Sequence, residues 1–299
     1  MKQLCIFTAP KPFRDSHITT IQRNALGSWL ALGDAVDIVL VGDDEGIAQT
    51  AAEFGVKHVP SVAANAHGTP LVSAIFDAAR QNSAAPYLLY VNADIIFYPG
   101  LLETLHTVAA QAPEFVLLGR RYDLDITQPL EFSAGWDTRL RADMRTRGRL
   151  HTRGGSDYFA FPRHLYTEMP SFAIGRAGWD NWMMYEANHH NWQAVDCTAE
   201  IDIVHQNHDY SHLQGEHGHQ RHVETDENTM LGGGMRSMYM LLDVPYELVN
   251  GKVRRAPLSA IRALRSIERA LQPNAIEDRS LRWRLMRQVR NLRFALGGR

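Results

Sequence analysis

The sequence predicts a doubly wound α/β fold, in which helices cover both faces of a mostly parallel sheet. Within the first 120 residues, short apolar segments alternate with segments that have helical spacing. The apolar segments are nearly continuous, as expected for strands that are buried on both faces. Because parallel crossovers are right-handed, such a sheet binds its ligands at the carboxyl ends of its strands.

The elements follow in a regular order. The predicted strands of the first 120 residues are KQLCIF, AVDIVLVG, KHVP, PYLLYVN and EFVLLGRR, and the predicted helices are HITTIQRNALGSWLALG, EGIAQTAAEFG, TPLVSAIFDAARQN and LLETLHTVAAQA. Helices are predicted where apolar residues recur every three or four positions before a stop signal. Residues 122–234 are less regular, with strands DYFAFP, QAVDC and IDIVHQ and a helix near GWDNWMMYEANHH. This part predicts a mixed second half of the domain.

The composition is that of an ordinary soluble protein, with 45% hydrophobic and 21% charged residues. We find no apolar run long enough to span a bilayer and no signal-peptide pattern, so we expect a cytoplasmic location. Cys5 and Cys197 are predicted to be buried free thiols. The net charge of −2 argues against a general nucleic-acid binder.

Charge is distributed unevenly along the chain. Residues 252–299 carry 13 Lys and Arg against three acids, a net charge of +10, which leaves −12 for the remaining residues. We therefore predict a main domain over residues 1–250 and a basic helical extension over residues 251–299. In LRWRLMRQVRNLRFAL, four leucines and Val289 form one apolar stripe. Such a helix can lie peripherally on an anionic membrane, pair in a homo-oligomer, or cover its own sheet.

Polar residues gather where the predicted parallel strands end. The first strand ends in TAPKPF, the second in VGDDEG with Asp43 and Asp44, and the fourth in Asn92-Ala93-Asp94. These strand ends meet at one edge of a parallel sheet, so together they predict a ligand site. Taken singly, Asp43 or Asp44 could instead cap a helix.

This arrangement resembles the GT-A nucleotide-sugar glycosyltransferases, and most of all the family 2 group. The turn of residues 43–46 resembles that group's DDGS turn, and Asn92-Ala93-Asp94 resembles its Asp-x-Asp motif. The resemblance covers residues 2–210. It implies a GT-A fold and transfer of a sugar from a nucleotide-diphosphate sugar, with UDP-sugars expected first. The acceptor would be a glycan or a lipid-linked hydroxyl in polysaccharide biosynthesis.

The resemblance also implies roles for residues of the donor site. Thr8, Ala9 and Pro10 would form a wall against the base, and Asp43 beside Asp44 would accept hydrogen bonds from base or ribose. The remaining implied donor residues are the loop positions Asn65, Gly68 and Thr69, the strand-end residues Asn92 and Ala93, and Ser156 and Asp157 at the sugar hydroxyls.

Asp94 is implied to hold a divalent cation, Mn²⁺ or Mg²⁺, that bridges the two phosphates and stabilises the leaving group. Asn92 stands where the group has its first acid, and an amide contributes no charge. His205 and His208 are candidates for the second protein ligand to the cation. A zinc site of His205, His208 and His212 is the alternative, although a strand does not place this spacing on one face.

The segment GRAGWDNWMMYEA places Asp180 between Trp179 and Trp182 at the start of a predicted helix. By resemblance, Asp180 would deprotonate the acceptor hydroxyl in an inverting reaction, and the tryptophans would shape the acceptor slot. Asp157 is the other acid that could act as base, a retaining outcome stays open, and Asp180 could simply cap its helix.

Two other functions are compatible with the pattern. A non-catalytic nucleotide- or carbohydrate-binding module is suggested by Asn92. A sugar-phosphate nucleotidyltransferase would usually need a glycine-rich phosphate loop after the first strand, and TAPKPFRD contains no glycine.

Overall fold

A computed structural model describes residues 1–208 and 223–298. The strands in this part of the chain are β1 Leu4–Thr8, β2 Val36–Val41, β3 Lys57–Val59, β4 Tyr87–Val91, β5 Ile95–Phe97, β6 Phe115–Leu118, β7 Tyr122–Leu124, β8 Arg149–Leu150, β9 Tyr158–Pro162, β10 Gln193–Asp196, β11 Ile203–Gln206, β12 Tyr246–Val249 and β13 Lys252–Arg255. The α-helices are α1 Ser16–Leu30, α2 Ile47–Phe54, α3 Val72–Asn82, α4 Leu101–Ala109, α5 Trp136–Arg147, α6 Trp179–His189, α7 Val223–Leu231, α8 Ala260–Leu271 and α9 Leu281–Ala295.

Nine of these strands form one sheet in the order β13-β12-β10-β6-β9-β4-β1-β2-β3. The neighbours of β1, β2 and β10 run parallel to them, whereas β9 is antiparallel to β4 and β6, and β13 is antiparallel to β12. The predicted fold class, a doubly wound and mostly parallel α/β sheet with a mixed second half, is confirmed.

Both faces of the sheet are buried because successive side chains of each strand enter different cores. Phe7 and Tyr90 pack on one face against Phe76 of α3 and Trp179 of α6. Their neighbours in the strands, Ile6 among them, pack on the other face with residues of α1 and α4. This alternation accounts for the continuous apolar strands of the sequence.

Gly46 brings the end of β2 against the loop that follows β1. It has φ +84°, and a Cβ at this position would lie 2.6 Å from Cβ of Phe13. The Phe13 amide also donates to the carbonyl oxygen of Glu45 at 2.8 Å. Only glycine fits this approach, which fixes two walls of the cleft above the sheet.

A second sheet, β5-β11-β7-β8, brings three separated segments together. β11 pairs with β5 on one side and β7 on the other, so that His205 lies opposite both Ile95 and Asp123. Asp94 directly precedes β5. This small sheet therefore collects an acid, a histidine and a second acid from three parts of the chain.

The basic extension begins inside the main sheet. The predicted boundary between residues 250 and 251 falls at the turn between β12 and β13, and β13 is the edge strand. The helical part starts at Ala260. The two-domain division stays a prediction. The four residues of β13, near the start of the extension, pair with β12 of the main domain.

The leucines of α9, and Leu296 directly after it, face outward rather than toward the sheet. Leu281, Leu285, Leu292 and Leu296, here called the leucine stripe, are 71, 43, 53 and 52% exposed. The helix buries Met286 and Arg293 instead. The described part of the chain contains no helix long and apolar enough to cross a membrane. Cys5 and Cys197 are buried free thiols, as predicted.

Candidate functional site

A cavity of about 570 Å³ opens at the carboxyl ends of β1, β2 and β4. It collects most of the residues that the sequence singled out, namely Ala9, Pro10, Asp44, Asn92, Ala93, Asp94, Ser156, Asp157, Trp179, Asp180, His205 and His208. These residues come from separate elements of both sheets. Twelve of the predicted residues therefore line one cavity, and their roles stay predictions.

Six predicted residues lie outside the wall of this cavity: Thr8, Asp43, Asn65, Gly68, Thr69 and Trp182. Thr8 is buried within β1, and Asp43 is exposed beside Asp44. Trp182 packs in the core against Phe172 and Tyr166, whereas Trp179 forms part of both core and cavity wall. Acceptor contact is therefore geometrically open to Trp179 alone of the two tryptophans.

Asn65 organises its own loop. Its side-chain oxygen accepts from the backbone amides of His67 and Thr69 at 2.9 and 3.0 Å, and its amide donates to Glu224 of α7 at 2.8 Å. Glu224 in turn accepts from Arg176 at 2.9 Å, and Arg176 lines the cavity. The loop of residues 65–69 is thus joined to the cavity through α7.

Asp94, His205 and His208 form a compact cluster at one end of the cavity. Their ligand atoms lie within 4.8 Å of one another. His208 Nε2 lies 3.0 Å and His205 Nε2 3.7 Å from Oδ2 of Asp94. Burial favours the neutral acid, but the His208 hydrogen bond and the charge of His205 outweigh it and hold the pKa of Asp94 below its usual value.

A second carboxylate stands behind His205. Asp123 Oδ1 lies 3.1 Å from His205 Nδ1, while Asp123 Oδ2 contacts His151 Nδ1 at 2.8 Å. Burial opposes ionisation of Asp123, but the hydrogen bond with His151, the nearby His205 and the charge of Arg121 keep its pKa well below the usual range. A carboxylate in this position orients the imidazole so that Nε2 faces Asp94.

The zinc alternative named His212 as a third imidazole, and this residue lies outside the described residues. Among the residues that are described, the cluster holds one carboxylate and two imidazoles. Mixed oxygen and imidazole donors suit Mn²⁺, and Mg²⁺ less well.

The side chain of Asn92 is held in the site by a hydrogen bond to Asp157. Its amide nitrogen donates to Asp157 Oδ1 at 2.9 Å, and its side-chain oxygen accepts from the Tyr90 hydroxyl at 3.2 Å. Arg121 also donates to Asp157 Oδ1, at 2.5 Å. An acid at position 92 would place a second negative charge next to the carboxylate of Asp157. The amide avoids this repulsion and donates to Asp157 instead.

We expect Asn92→Asp to destabilise the protein by about 1–3 kcal/mol at pH 7, because it replaces a half-buried donor with a charge like that of Asp157. The loss should shrink at pH 4, where the carboxylates begin to protonate. Urea unfolding at both pH values measures it. Asn191→Asp, at an exposed turn position with φ +60°, is the matched control and should change stability by less than about 0.5 kcal/mol. Equal effects of both variants would contradict the assigned role.

Asp180 lies at the start of α6, half-buried in the wall of the cavity. Its Oδ1 accepts from the backbone amide of Gly178 at 3.3 Å. Its Oδ2 lies 3.0 Å from the position that a Cβ on Gly155 would occupy. Burial and the nearby charge of Asp157 raise the pKa of Asp180 to about 6. A carboxylate with this pKa is mostly ionised at neutral pH and accepts a proton more readily than an ordinary aspartate.

Asp157 differs from Asp180 because it is tied down. Asn92 and Arg121 both donate to its Oδ1. These two donors occupy lone pairs of the Asp157 carboxylate that an acceptor hydroxyl would otherwise approach. The geometry therefore favours Asp180 over Asp157 as a base.

Sequence reasoning missed several residues of the cavity. Lys11, Arg121, His151 and Arg176 all line it, and Asp123 supports it from behind. The signal for Asp123 was present in GRRYDLD, which follows a predicted strand. It could be recognised only once β7 was known to pair with β11.

Comparisons with known proteins give structural similarity and no sequence match. No family model matches the chain, and no curated protein matches it. Among solved structures, S. aureus TarS 1–349 in complex with UDP-GlcNAc is similar over 78% of this chain and 65% of its own, at 15% identity and a TM-score of 0.46. Another structure of TarS 1–349 is matched over 42% of this chain and 37% of its own, at 18% identity and a TM-score of 0.32. The chain thus spans less than two thirds of either TarS structure.

M. tuberculosis glucosyl-3-phosphoglycerate synthase, in complex with Mg²⁺ and UDP, is similar over 86% of this chain and 88% of its own. The identity is 12% and the TM-score 0.43.

Proposed function

We propose that the chain is a nucleotide-sugar glycosyltransferase that transfers a sugar, first of all from a UDP-sugar, to an acceptor hydroxyl. One observation carries this proposal. Asp94 lies close to the imidazoles of His205 and His208, and Asp123 lies behind His205. The same cavity contains Asp180, a half-buried aspartate whose pKa is raised. The first group suits a cation at a diphosphate, and the second suits proton removal from a hydroxyl.

The donor set fits a divalent cation. Asp94 Oδ1 is buried and has no hydrogen-bond partner among the described residues, while Oδ2 faces His205 and His208. A buried carboxylate oxygen without a donor is costly unless a cation approaches it. Asp94, His205 and His208 would hold Mn²⁺ or Mg²⁺, which would supply positive charge to the departing nucleoside diphosphate.

The remaining residues of the cavity suit the two substrates. Ala9 and Pro10 present an apolar wall to the base, and Lys11 adds positive charge near Asp94, where the diphosphate would lie. Asp180 would take the proton of the acceptor hydroxyl at Oδ2, since Oδ1 is engaged by Gly178. Direct attack by that hydroxyl, with inversion at the anomeric carbon, needs no covalent protein intermediate.

A panel of UDP-, GDP- and dTDP-sugars tests the activity. We expect slow Mn²⁺-dependent release of the nucleoside diphosphate from one donor without acceptor, measured by a coupled assay. Adding glycan or lipid-linked acceptors should accelerate the release. Binding of a nucleotide without turnover of any donor would instead indicate the non-catalytic module.

The basic extension supports a membrane-associated acceptor, and we propose that α9 rests on an anionic lipid surface. The helix contains no Asp or Glu, and Arg282, Arg284 and Arg287 are exposed on it together with the leucine stripe. Leucines inserted among lipid tails with arginines at the headgroups are typical of such helices. A second copy on this face would bring like-charged arginines together, so charge complementarity favours the anionic surface.

Co-sedimentation with vesicles of phosphatidylglycerol and phosphatidylcholine tests this surface. We expect Leu285→Gln combined with Leu292→Gln to weaken binding at least about tenfold, because two apolar side chains no longer leave water. Leu30→Gln, at the exposed end of α1, is the matched control and should bind as the wild type. Equal binding to neutral vesicles, or a dimer that the double variant disperses, would contradict the proposal.

A further inference from the structure

A second cavity of about 340 Å³ lies between the start of α6, residues 235–240 and the α8–α9 pair. Five arginines line it: Arg236, Arg265, Arg269, Arg290 and Arg293. No acid lines it among the described residues. We call it the arginine cavity.

Two buried acids beside the arginine cavity balance only part of its charge. Glu268 is fully buried and accepts from Arg265, Arg290 and Arg293 at 2.8 to 2.9 Å. Asp243 accepts from Arg265 at 2.7 Å. Five guanidinium groups therefore face two carboxylates, which leaves an excess of three positive charges around one cavity. This excess is what a bound anion would neutralise.

Arg236 and Arg269 are the two arginines of this set that do not hydrogen-bond to Glu268 in the described structure. Arg236 is exposed, and its Nε donates to the carbonyl oxygen of Gln272 at 3.1 Å. Arg269 stacks on the ring of Tyr239, donates from Nη2 to its hydroxyl, and places Nη1 3.7 Å from Oδ1 of Asp243, while its Nε has no hydrogen-bond partner among the described residues. Both guanidinium groups keep N–H donors for a ligand. Arg290 and Arg293, in contrast, hold α9 to Glu268 of α8, and Arg265 holds α8 to Asp243.

The arginine cavity shares a wall with the first cavity. Gly154 and Asn181 line the arginine cavity, and their chain neighbours Gly155 and Asp180 line the first. Asn181 fixes this wall, because its side-chain amide donates to the carbonyl oxygens of Gly154 at 3.3 Å and Tyr239 at 2.6 Å. The arginine cavity therefore lies on the other side of the wall that carries the candidate base.

We propose that the arginine cavity binds an anionic group of the acceptor, a phosphate or a carboxylate, so that the acceptor is an anionic molecule rather than a neutral glycan. This inference rests on the proposed transferase function. The acceptor would extend across the shared wall, with its anion among the arginines and its hydroxyl toward Asp180. Arg236 and Arg269 would supply the hydrogen bonds, and the Glu268 network would keep the helices in place.

Thermal unfolding in inorganic phosphate at constant ionic strength tests the anion site on the full chain. We expect phosphate to raise the Tm of the wild type in a saturable way, because it binds the native state. The double variant Arg236→Gln with Arg269→Gln should lose most of that shift. Arg284→Gln, exposed on α9 and outside the arginine cavity, makes a matched change of charge and should keep it. No saturable shift in the wild type, or equal shifts in all three proteins, would overturn the site.

Two further measurements distinguish failure of the acceptor assignment from failure of the proposed transferase function. The Tm shift caused by UDP with Mn²⁺ should be the same in the double variant and the wild type, which shows that the variant is folded. If that shift is absent while the phosphate shift is present, the transferase function fails and the anion site stands. Phosphate should leave acceptor-free release of nucleotide unchanged in rate. A change in that rate which the double variant abolishes would show a free-anion effector and overturn the acceptor assignment.

Discussion

Asp180→Asn is expected to lower kcat for transfer by about 10²–10⁴-fold, because the amide cannot accept the acceptor proton. Binding of UDP with Mn²⁺ should be unchanged, since Asp180 belongs to neither the metal cluster nor the wall at the base. Steady-state kinetics and the nucleotide-induced Tm shift, measured on the same preparations, check the two halves of this result.

The same substitution should stabilise the fold at neutral pH. The folded-state pKa of Asp180 is raised from 3.8 to about 6, so the neutral acid stabilises the native state fully below pH 3.8 and this contribution is lost as the pH rises through 6. The variant should therefore gain about 1–3 kcal/mol over the wild type above pH 6 and little at pH 4. Wild-type kcat/KM should rise through pH 6, where the base ionises.

Asp157→Asn distinguishes the two acids. Its carboxylate balances Arg121, so we expect this variant to lose stability rather than gain it. Turnover that survives in Asp180→Asn, or a gain of stability in Asp157→Asn, would contradict the assignment of Asp180 as the base.

Asp94→Ala should remove the cation-dependent part of UDP binding. We expect the affinity for Mn²⁺ in the presence of UDP to fall at least about 100-fold, because the only carboxylate of the described cluster is lost. Asp123→Asn should weaken it by about 10–100-fold through the orientation of His205. Isothermal titration with Mn²⁺ at fixed UDP measures both.

Asp34→Asn, in the exposed loop before β2 at the opposite end of the sheet, is the control and should bind Mn²⁺ as the wild type does. If Asp94→Ala kept full Mn²⁺ affinity, the cluster would not be the metal site. If Asp123→Asn had no effect while Asp94→Ala did, the role of Asp123 behind His205 would be wrong.

The local pattern of the sequence was enough to predict the sheet and the edge where its polar residues meet. Strand ends at Ala9, Asp44 and Asp94 converge because parallel strands share a carboxyl edge. Pairing in the small sheet could not be predicted, since β5, β7 and β11 are short and far apart in the chain. For that reason the sequence suggested His205 and His208 but not Asp123.

In the basic extension, the sequence pattern did not predict which face of α9 is buried. A stripe of leucines at helical spacing usually packs inward, yet α9 buries Arg293 and leaves the leucine stripe exposed. The reason lies in another helix: Glu268 of α8 is fully buried and draws Arg293 and Arg290 inward. Periodicity within one helix cannot show which face a neighbouring acid selects.

Asn92 also gains its meaning from the structure. The sequence shows an amide where an acid was expected, which left metal binding open. The amide donates to Asp157, and a second imidazole stands by Asp94 instead of a second acid. This histidine-rich arrangement supports a cation site without the first acid of the motif.

The proposed function requires that this cavity bind a nucleoside diphosphate together with a divalent cation. Isothermal titration of the wild type with UDP, with and without Mn²⁺, tests it most directly. We expect one site per chain, with an affinity for UDP at least about tenfold higher when Mn²⁺ is present. No binding of UDP, GDP or dTDP under either condition would rule out the donor site in this cavity.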